Sequence, residues 1–293
     1  MTSEANFADR LCAAIERLDA PACVGLDPVV ENLPDELRAK ATDDDSSAAM
    51  IERFSMGVLD AVRGIVPAVK VQSACYERFG APGFASMERV CGHATKNGLL
   101  VVLDAKRGDI GVSARHYAHA AFPRIGADAL TVSPYLGMDT LEPMAAGFAQ
   151  EYPDRGLFVL VRTSNPGSDG VQNQRLADGR TVAQSMGAMV ATFGERSVGA
   201  SGYSSVGAVV AATKPDDARA MREAMPRQIF LVPGFGAQGG TVETVRALFH
   251  ENRRGALITA SRSVIFAFGK GEKDWTGAIA NAARGFVAEL RAI

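Results

Sequence analysis

Two carboxylates and an ammonium, on Asp104, Asp109 and Lys106, close an apolar run in the stretch Leu99–Ile110, LLVVLDAKRGDI. Two carboxylates and an ammonium at that spacing can hold an ion pair, deliver a proton or stabilise a developing negative charge. The apolar residues ahead of them read as a strand buried on both faces, as in a parallel sheet. On a regular strand Asp104 and Lys106, two residues apart, point to the same side. Charges are costly to bury unless paired. Their position therefore marks either a reactive site or a structural ion pair at a strand end.

The elements that must position these groups follow from periodicity. Strands are expected at Ala22–Asp27, Ala68–Val71, Leu99–Ala105, Ala129–Ser133, Gly156–Thr163, Val206–Thr213, Gln228–Gly234 and Gly255–Ser261. Helical spacing falls between them, at Ala48–Val62, Gly83–Lys96, Val112–Phe122, Thr181–Phe193, Pro215–Met225 and Thr241–Phe249. Strands alternating with helices imply crossover connections and a parallel sheet. Eight such units predict an α/β fold, a (β/α)8 TIM barrel forming one domain over residues 1–293. A doubly wound open sheet is the alternative. Asp43, Asp44 and Asp45 read as a solvated surface turn. The polar stretch Ser164–Arg180 reads either as a lid over the active-site face or as a plain insertion.

The chain has 293 residues, 47% of them hydrophobic, and a formal net charge of -2. That balance offers no basic field for nucleic acid. No apolar stretch approaches the roughly 20 residues of a membrane span. The opening MTSEANFADRL carries acids and no apolar core, so no signal peptide is expected. The four cysteines form no C-x-x-C pair, which suits reduced thiols in a cytoplasmic protein. His116 and His119 share a helix face without a further ligand nearby in sequence, so a surface or packing role is favoured over zinc.

Active sites of parallel barrels gather at the carboxyl ends of the strands, and the polar residues of these apolar runs collect there. Strand one ends in Asp27, and strand two carries Lys70 and then Gln72. Strand five ends Arg162-Thr163-Ser164-Asn165, and strand eight ends Ser261-Arg262. Lys70 sits among Ala68, Val69 and Val71 and needs a buried anion, which Asp104 can supply. Asp27 is either an acceptor for a sugar hydroxyl or a cap. Strand seven runs from Pro233 into Gly234, Gly236 and Gly239, a G-x-G-x-x-G pattern. A dinucleotide fold would place an acid at the end of the next strand, where Arg262 stands instead. Glycine amides and an arginine suit a phosphate better.

These residues resemble the orotidine 5'-monophosphate decarboxylase family, in its longer bacterial type-2 branch. The resemblance is carried by Asp104-Ala105-Lys106-Arg107-Gly108-Asp109 together with Gly25-Leu26-Asp27-Pro28, Lys70, Thr163-Ser164-Asn165-Pro166-Gly167, Ala211-Ala212-Thr213-Lys214-Pro215 and Val232-Pro233-Gly234. It implies decarboxylation of orotidine 5'-monophosphate to UMP, the last step of UMP synthesis, with no cofactor and no metal. It implies Lys106 as the proton donor to C6, Asp104 beside the substrate carboxylate, and Lys70 holding Asp104 and the ribose. Asp27 would accept from a ribose hydroxyl. Ser164, or else Thr163, would bond the pyrimidine. Gln238 and Arg262 would grip the phosphate, with backbone help near Pro233, Gly236 and Ser261. A homodimer is implied, with Asp109 and Ser113 reaching the neighbouring subunit's site. After Lys70 the chain reads Val-Gln-Ser-Ala-Cys-Tyr-Glu, where the branch has a Pro-Gln start and two aromatics.

Three other activities are weighed against this one. A metal-dependent sugar-phosphate decarboxylase would need another carboxylate near Asp27 or strand two. A Schiff-base aldolase would be trapped by borohydride. A non-catalytic nucleotide-binding barrel would bind without turnover, and the intact Asp–Lys–Asp set argues against that decay.

Overall fold

The computed structural model describes residues 5–211, 215–234, 242–250 and 253–293. Eight parallel strands form a closed barrel in chain order. They are β1 (Ala22–Leu26), β2 (Ala68–Gln72), β3 (Leu100–Arg107), β4 (Ala129–Val132), β5 (Gly156–Arg162), β6 (Ser204–Val210), β7 (Gln228–Val232) and β8 (Ala256–Ala260). The expected (β/α)8 architecture is the observed one. β1, β4, β6, β7 and β8 are buried at every residue, as strands covered on both faces must be.

The longer helices are α1 (Phe7–Leu18), α2 (Asp44–Val62), α3 (Gly80–Lys96), α4 (Gly111–His119), α5 (Val182–Gly194), α6 (Pro215–Ala224), α7 (Val242–Leu248) and α8 (Trp275–Arg291). Several boundaries differ from the sequence expectation for local reasons. Asp43 is not in a surface turn but caps α2. Its carboxylate accepts from the Ser46 amide at 2.8 Å while the Ser46 hydroxyl accepts from the Asp43 amide at 3.0 Å. Asp44 and Asp45 then occupy the first helical turn, where the helix dipole favours acids. Thr181 and Gln184 form the same reciprocal cap on α5. The helix expected over Val112–Phe122 ends at His119 and passes into a wide turn, Ala120–Arg124, containing Pro123. Proline has no N–H to continue the ladder.

The chain divides into two compact units, each with its own packing. One comprises Met1–Ala13, Lys106–His119 and Asp128–Thr259. Within it Phe7 of α1 meets Phe158 of β5 edge to face at 5.7 Å. Arg10 of α1 pairs with Asp128 at 2.6 Å and donates to the Asp154 carbonyl at 2.9 Å. The other unit comprises Ala14–Ala105, Ala120–Ala127 and Ala260–Ile293. There Phe54 of α2 packs against Phe266 at 5.7 Å and Trp275 at 5.4 Å, fastening α8. Neither α1 nor α8 is among the helices read from the sequence.

Candidate active site

β2 and β3 bring the first charged groups together. Their register places Lys70 beside Val102 and Gln72 beside Asp104. Lys70 and Asp104 are each only 6% exposed, so an uncompensated charge on either would be costly. Lys70 Nζ meets Asp104 Oδ2 at 2.8 Å and Asp27 Oδ1, just past β1, at 3.4 Å. Burial alone would pull the Lys70 ammonium down. Asp104 first and Asp27 second outweigh it, and Lys70 is held above the ordinary lysine value. The buried anion that the sequence demands for Lys70 is therefore Asp104. Gln72 adds a donor the sequence reading does not assign, its Nε2 lying 3.1 Å from Asp104 Oδ2.

Past Asp104 the alternation of β3 stops. Lys106 has φ 47°, in the left-handed region where few residues other than glycine sit. The rule that residues two apart share a side therefore does not carry from Asp104 to Lys106. The Lys106 amide, turned out of the usual strand direction, donates to the Thr131 hydroxyl of β4 at 2.9 Å. The Lys106 side chain is exposed and Asp109 is half-buried. Asp109 turns back on its own segment, its carboxylate accepting from the Ile110 amide at 2.8 Å. Ser113 lies exposed in the first turn of α4.

Arg162 ends β5 and is 3% exposed. It pairs with Asp169 and, at 3.1 Å, with Asp217 in α6. It also donates to Ser168 Oγ at 3.0 Å and Gln172 Oε1 at 3.2 Å. Gln172 in turn receives the Thr163 amide and donates to the Thr163 hydroxyl, both at 2.9 Å. The stretch after β5 is thus folded back on its strand end, with short helical turns at Pro166–Ser168 and Asp169–Gln172. The hydroxyl of Thr163 is committed to Gln172 and Asn165, which leaves Ser164, half-buried beside it, as the better donor to a ligand. Sequence alone names Arg162 as a strand-end residue; its partners lie up to 55 positions away.

Ser261 follows β8 and crowds Gly25 of β1. A Cβ at Gly25 would collide with the Ser261 hydroxyl, so this approach requires glycine. Arg262, exposed, opens the short helix Arg262–Ile265. Pro233 and Gly234 are half-buried just past β7, Gly234 at φ 91°. Gly236 and Gln238, expected near the phosphate, lie outside the described residues, as do Ala212, Thr213 and Lys214 of the resemblance. Cys75, close to this cluster, has its thiol pushed up to about 11 by burial and then by Asp27, so it is protonated at neutral pH.

Comparison with known proteins agrees across almost the whole chain. Residues 21–273 match the family described as orotidine 5'-phosphate decarboxylase / HUMPS. A curated orotidine 5'-phosphate decarboxylase of Rhodopirellula baltica is 45% identical over 274 residues, 89% of each chain. That of Caldicellulosiruptor bescii is 34% identical over 278 residues, 90% of each chain. The solved structure of the Leishmania donovani OMP decarboxylase superposes with a TM-score of 0.78 at 31% identity, covering 98% of this chain and 99% of that one.

Proposed function

Because this chain belongs to the orotidine 5'-phosphate decarboxylase / HUMPS family, we propose that the charged cluster at its strand ends is the decarboxylating centre. The enzyme converts orotidine 5'-monophosphate to UMP and CO2, the last step of UMP biosynthesis. The observation that carries the assignment of residues is the buried Lys70–Asp104 pair, two residues ahead of a lysine in a strained backbone conformation. Strain of that kind is retained where it serves a site.

In this reading the bond from C6 to the carboxylate carbon breaks and its electron pair stays on C6. The Lys106 ammonium lies against that developing charge and then gives C6 its proton; the resulting amine regains a proton from water. Asp104 faces the scissile carboxylate, and like charges at close range raise the energy of the bound substrate. No metal and no covalent adduct is assigned a step. Lys70 holds Asp104 and the ribose. Asp27, half-buried and already shared with Lys70, accepts from a ribose hydroxyl. Ser164 bonds the pyrimidine in preference to Thr163. Arg262 and Gln238 grip the phosphate, with main-chain help at Pro233, Gly236 and Ser261. Binding the remote phosphate supplies energy to hold the ring in place.

A homodimer is part of the same reading. Ile110 is 63% exposed, Val112 57%, Tyr135 88% and Leu136 52%. Such a group of bared apolar side chains favours burial against another surface. Asp109 and Ser113 lie on the same segment, which supports their reaching into a second subunit's site. Among the described residues no helix is long and apolar enough to cross a membrane, and a cytoplasmic location fits the cysteine usage. The strand order supports treating residues 1–293 as one domain.

One experiment tests the chemistry and the sharing of sites together. Chelator-treated protein is mixed with orotidine 5'-monophosphate and the loss of the orotate absorbance is followed. Lys106→Ala and Asp109→Ala should each lose at least about 10^3-fold in kcat while still binding UMP. Mixed and re-equilibrated, they should regain up to about a quarter of wild-type sites, because each hybrid dimer carries one intact set. Turnover by Lys106→Ala alone would remove it as the proton donor; no recovery on mixing would remove Asp109 from a shared site.

A further inference from the structure

Lys70 and Gln72 are two residues apart on β2 and share a face of that strand. The register sets Gln72 directly beside Asp104 of β3. Gln72 Nε2 donates to Asp104 Oδ2 at 3.1 Å, and Lys70 Nζ donates to the same oxygen at 2.8 Å. The main chain follows suit, with the Ser73 amide donating to the Asp104 carbonyl at 3.3 Å. One carboxylate oxygen therefore has two donors from the neighbouring strand, one charged and one neutral.

The two donors are not equivalent. Lys70 is shared, since its ammonium also reaches Asp27 Oδ1 at 3.4 Å. A ribose hydroxyl that engages Asp27 and Lys70 would compete with Asp104 for the donors of that ammonium. Gln72 has no such second duty toward Asp27. An amide also holds a carboxylate without cancelling its charge. A second cation at this position would weaken the repulsion that Asp104 exerts on a substrate carboxylate, whereas a neutral donor leaves it intact. We infer that Gln72 is a positioning residue, whose amide fixes Asp104 Oδ2 while Lys70 is shared with the substrate. This rests on the reading of Asp104 as the group that faces the scissile carboxylate. Lys70 on β2 faces Asp104 directly, and Asp27 after β1 is linked to it through Lys70; the Cys75 thiol is uncharged at neutral pH.

Gln72→Met keeps the length of the side chain and removes the donor. It should lower kcat by roughly 10- to 100-fold, the range for a hydrogen bond to a charged group. The acid limb of the kcat profile should move to higher pH, because a carboxylate that loses a donor takes up a proton more readily. The affinity for UMP should not change, since UMP has no carboxylate for Asp104 to face. Gln72→Glu should be poorer still at neutral pH and recover as the pH falls, when the shared proton again gives Asp104 a donor. A wild-type kcat and an unmoved acid limb in Gln72→Met would overturn the proposal. So would a parallel fall of kcat and UMP affinity with the limb unmoved, which would mark mere structural support. Asp104→Asn is measured alongside. If it keeps a wild-type kcat, the role of Asp104 fails and that of Gln72 with it; if it is inactive while Gln72→Met is normal, only the role of Gln72 fails.

Discussion

Two buried cations in this chain are held in opposite ways. Lys70, at the carboxyl end of β2, is paired with Asp104 and Asp27, and its ammonium is stabilised above its ordinary value. Arg222, at the end of α6, is 8% exposed and is held by dipoles. Its guanidinium donates to the carbonyls of Leu248 at 3.0 Å, Met225 and Gln228 at 2.9 Å, and Gly255 at 2.6 Å. It also lies 3.6 Å from the centroid of the Phe230 ring. Burial lowers its pKa to about 10, still charged at neutral pH. Arg222 joins the ends of α6 and α7 to the starts of β7 and β8, adding a donor to main-chain carbonyls there, among them that of Gly255, which also accepts from the Phe230 amide at 2.8 Å. It is a fastening of fixed dipoles. Lys70 is held by two carboxylates, whose bonds a substrate's own polar groups can compete for.

Replacing each cation separates the two kinds of burial. Lys70→Met should show the largest effect, losing at least about 10^3-fold in kcat and destabilising the fold by roughly 3–5 kcal/mol, because Asp104 is left buried without its countercharge. Adding Asp104→Leu should return most of that stability in a denaturant titration and none of the activity. If the double variant stays as unstable as the single one, the cost is not one of unpaired charge. Arg222→Met should destabilise by about 2–4 kcal/mol through the charged hydrogen bonds it loses to buried carbonyls, yet leave kcat/KM of the folded fraction unchanged. A specific loss of kcat/KM at 10 °C, where the variant is folded, would show that Arg222 does more than fasten.

The smallest effect is in pH. His250 stands beside Arg222, its Nε2 3.0 Å from the Pro226 carbonyl. Burial first and Arg222 second hold it below its ordinary value, against that carbonyl. The unfolded chain therefore takes up a proton near pH 6.5 that the folded chain refuses until lower pH. Stability from this group is complete above that value and declines as pH falls toward the folded one. His250→Gln should flatten melting temperature over that window, and an equally steep decline in the variant would assign it elsewhere. Lys70 has the reverse sign: its contribution is complete below about pH 10.4 and is lost only as pH rises through its elevated value.

How far the sequence discloses each region follows from the range of the interactions. All eight strands are legible because short β-branched runs between turns are local signals. The partnership of Lys70 with Asp104 is legible too, since a lysine inside an apolar strand must find an anion and few are available. The Asp43 cap is written as an acid three residues before Ser46, a weaker pattern than one ending in Glu. Arg222 cannot be read in this way: its acceptors are main-chain carbonyls, which every residue has. Nor can the links from Arg162 to Asp169 and Asp217. The turn at Lys106 escapes for another reason, because nothing in Asp-Ala-Lys signals a left-handed backbone.

That turn makes Lys106 a tax on the fold. Most residues other than glycine pay about 1–2 kcal/mol to adopt φ 47°, and the rest of the chain must carry the difference. Lys106→Ala and Lys106→Gly discard the same ammonium, but only glycine relieves the backbone. Thermal melts should rank the glycine variant above the alanine variant by about 1 kcal/mol, with both inactive. The lysine would then be retained at the expense of robustness, a trade between durability and rate settled at one peptide unit.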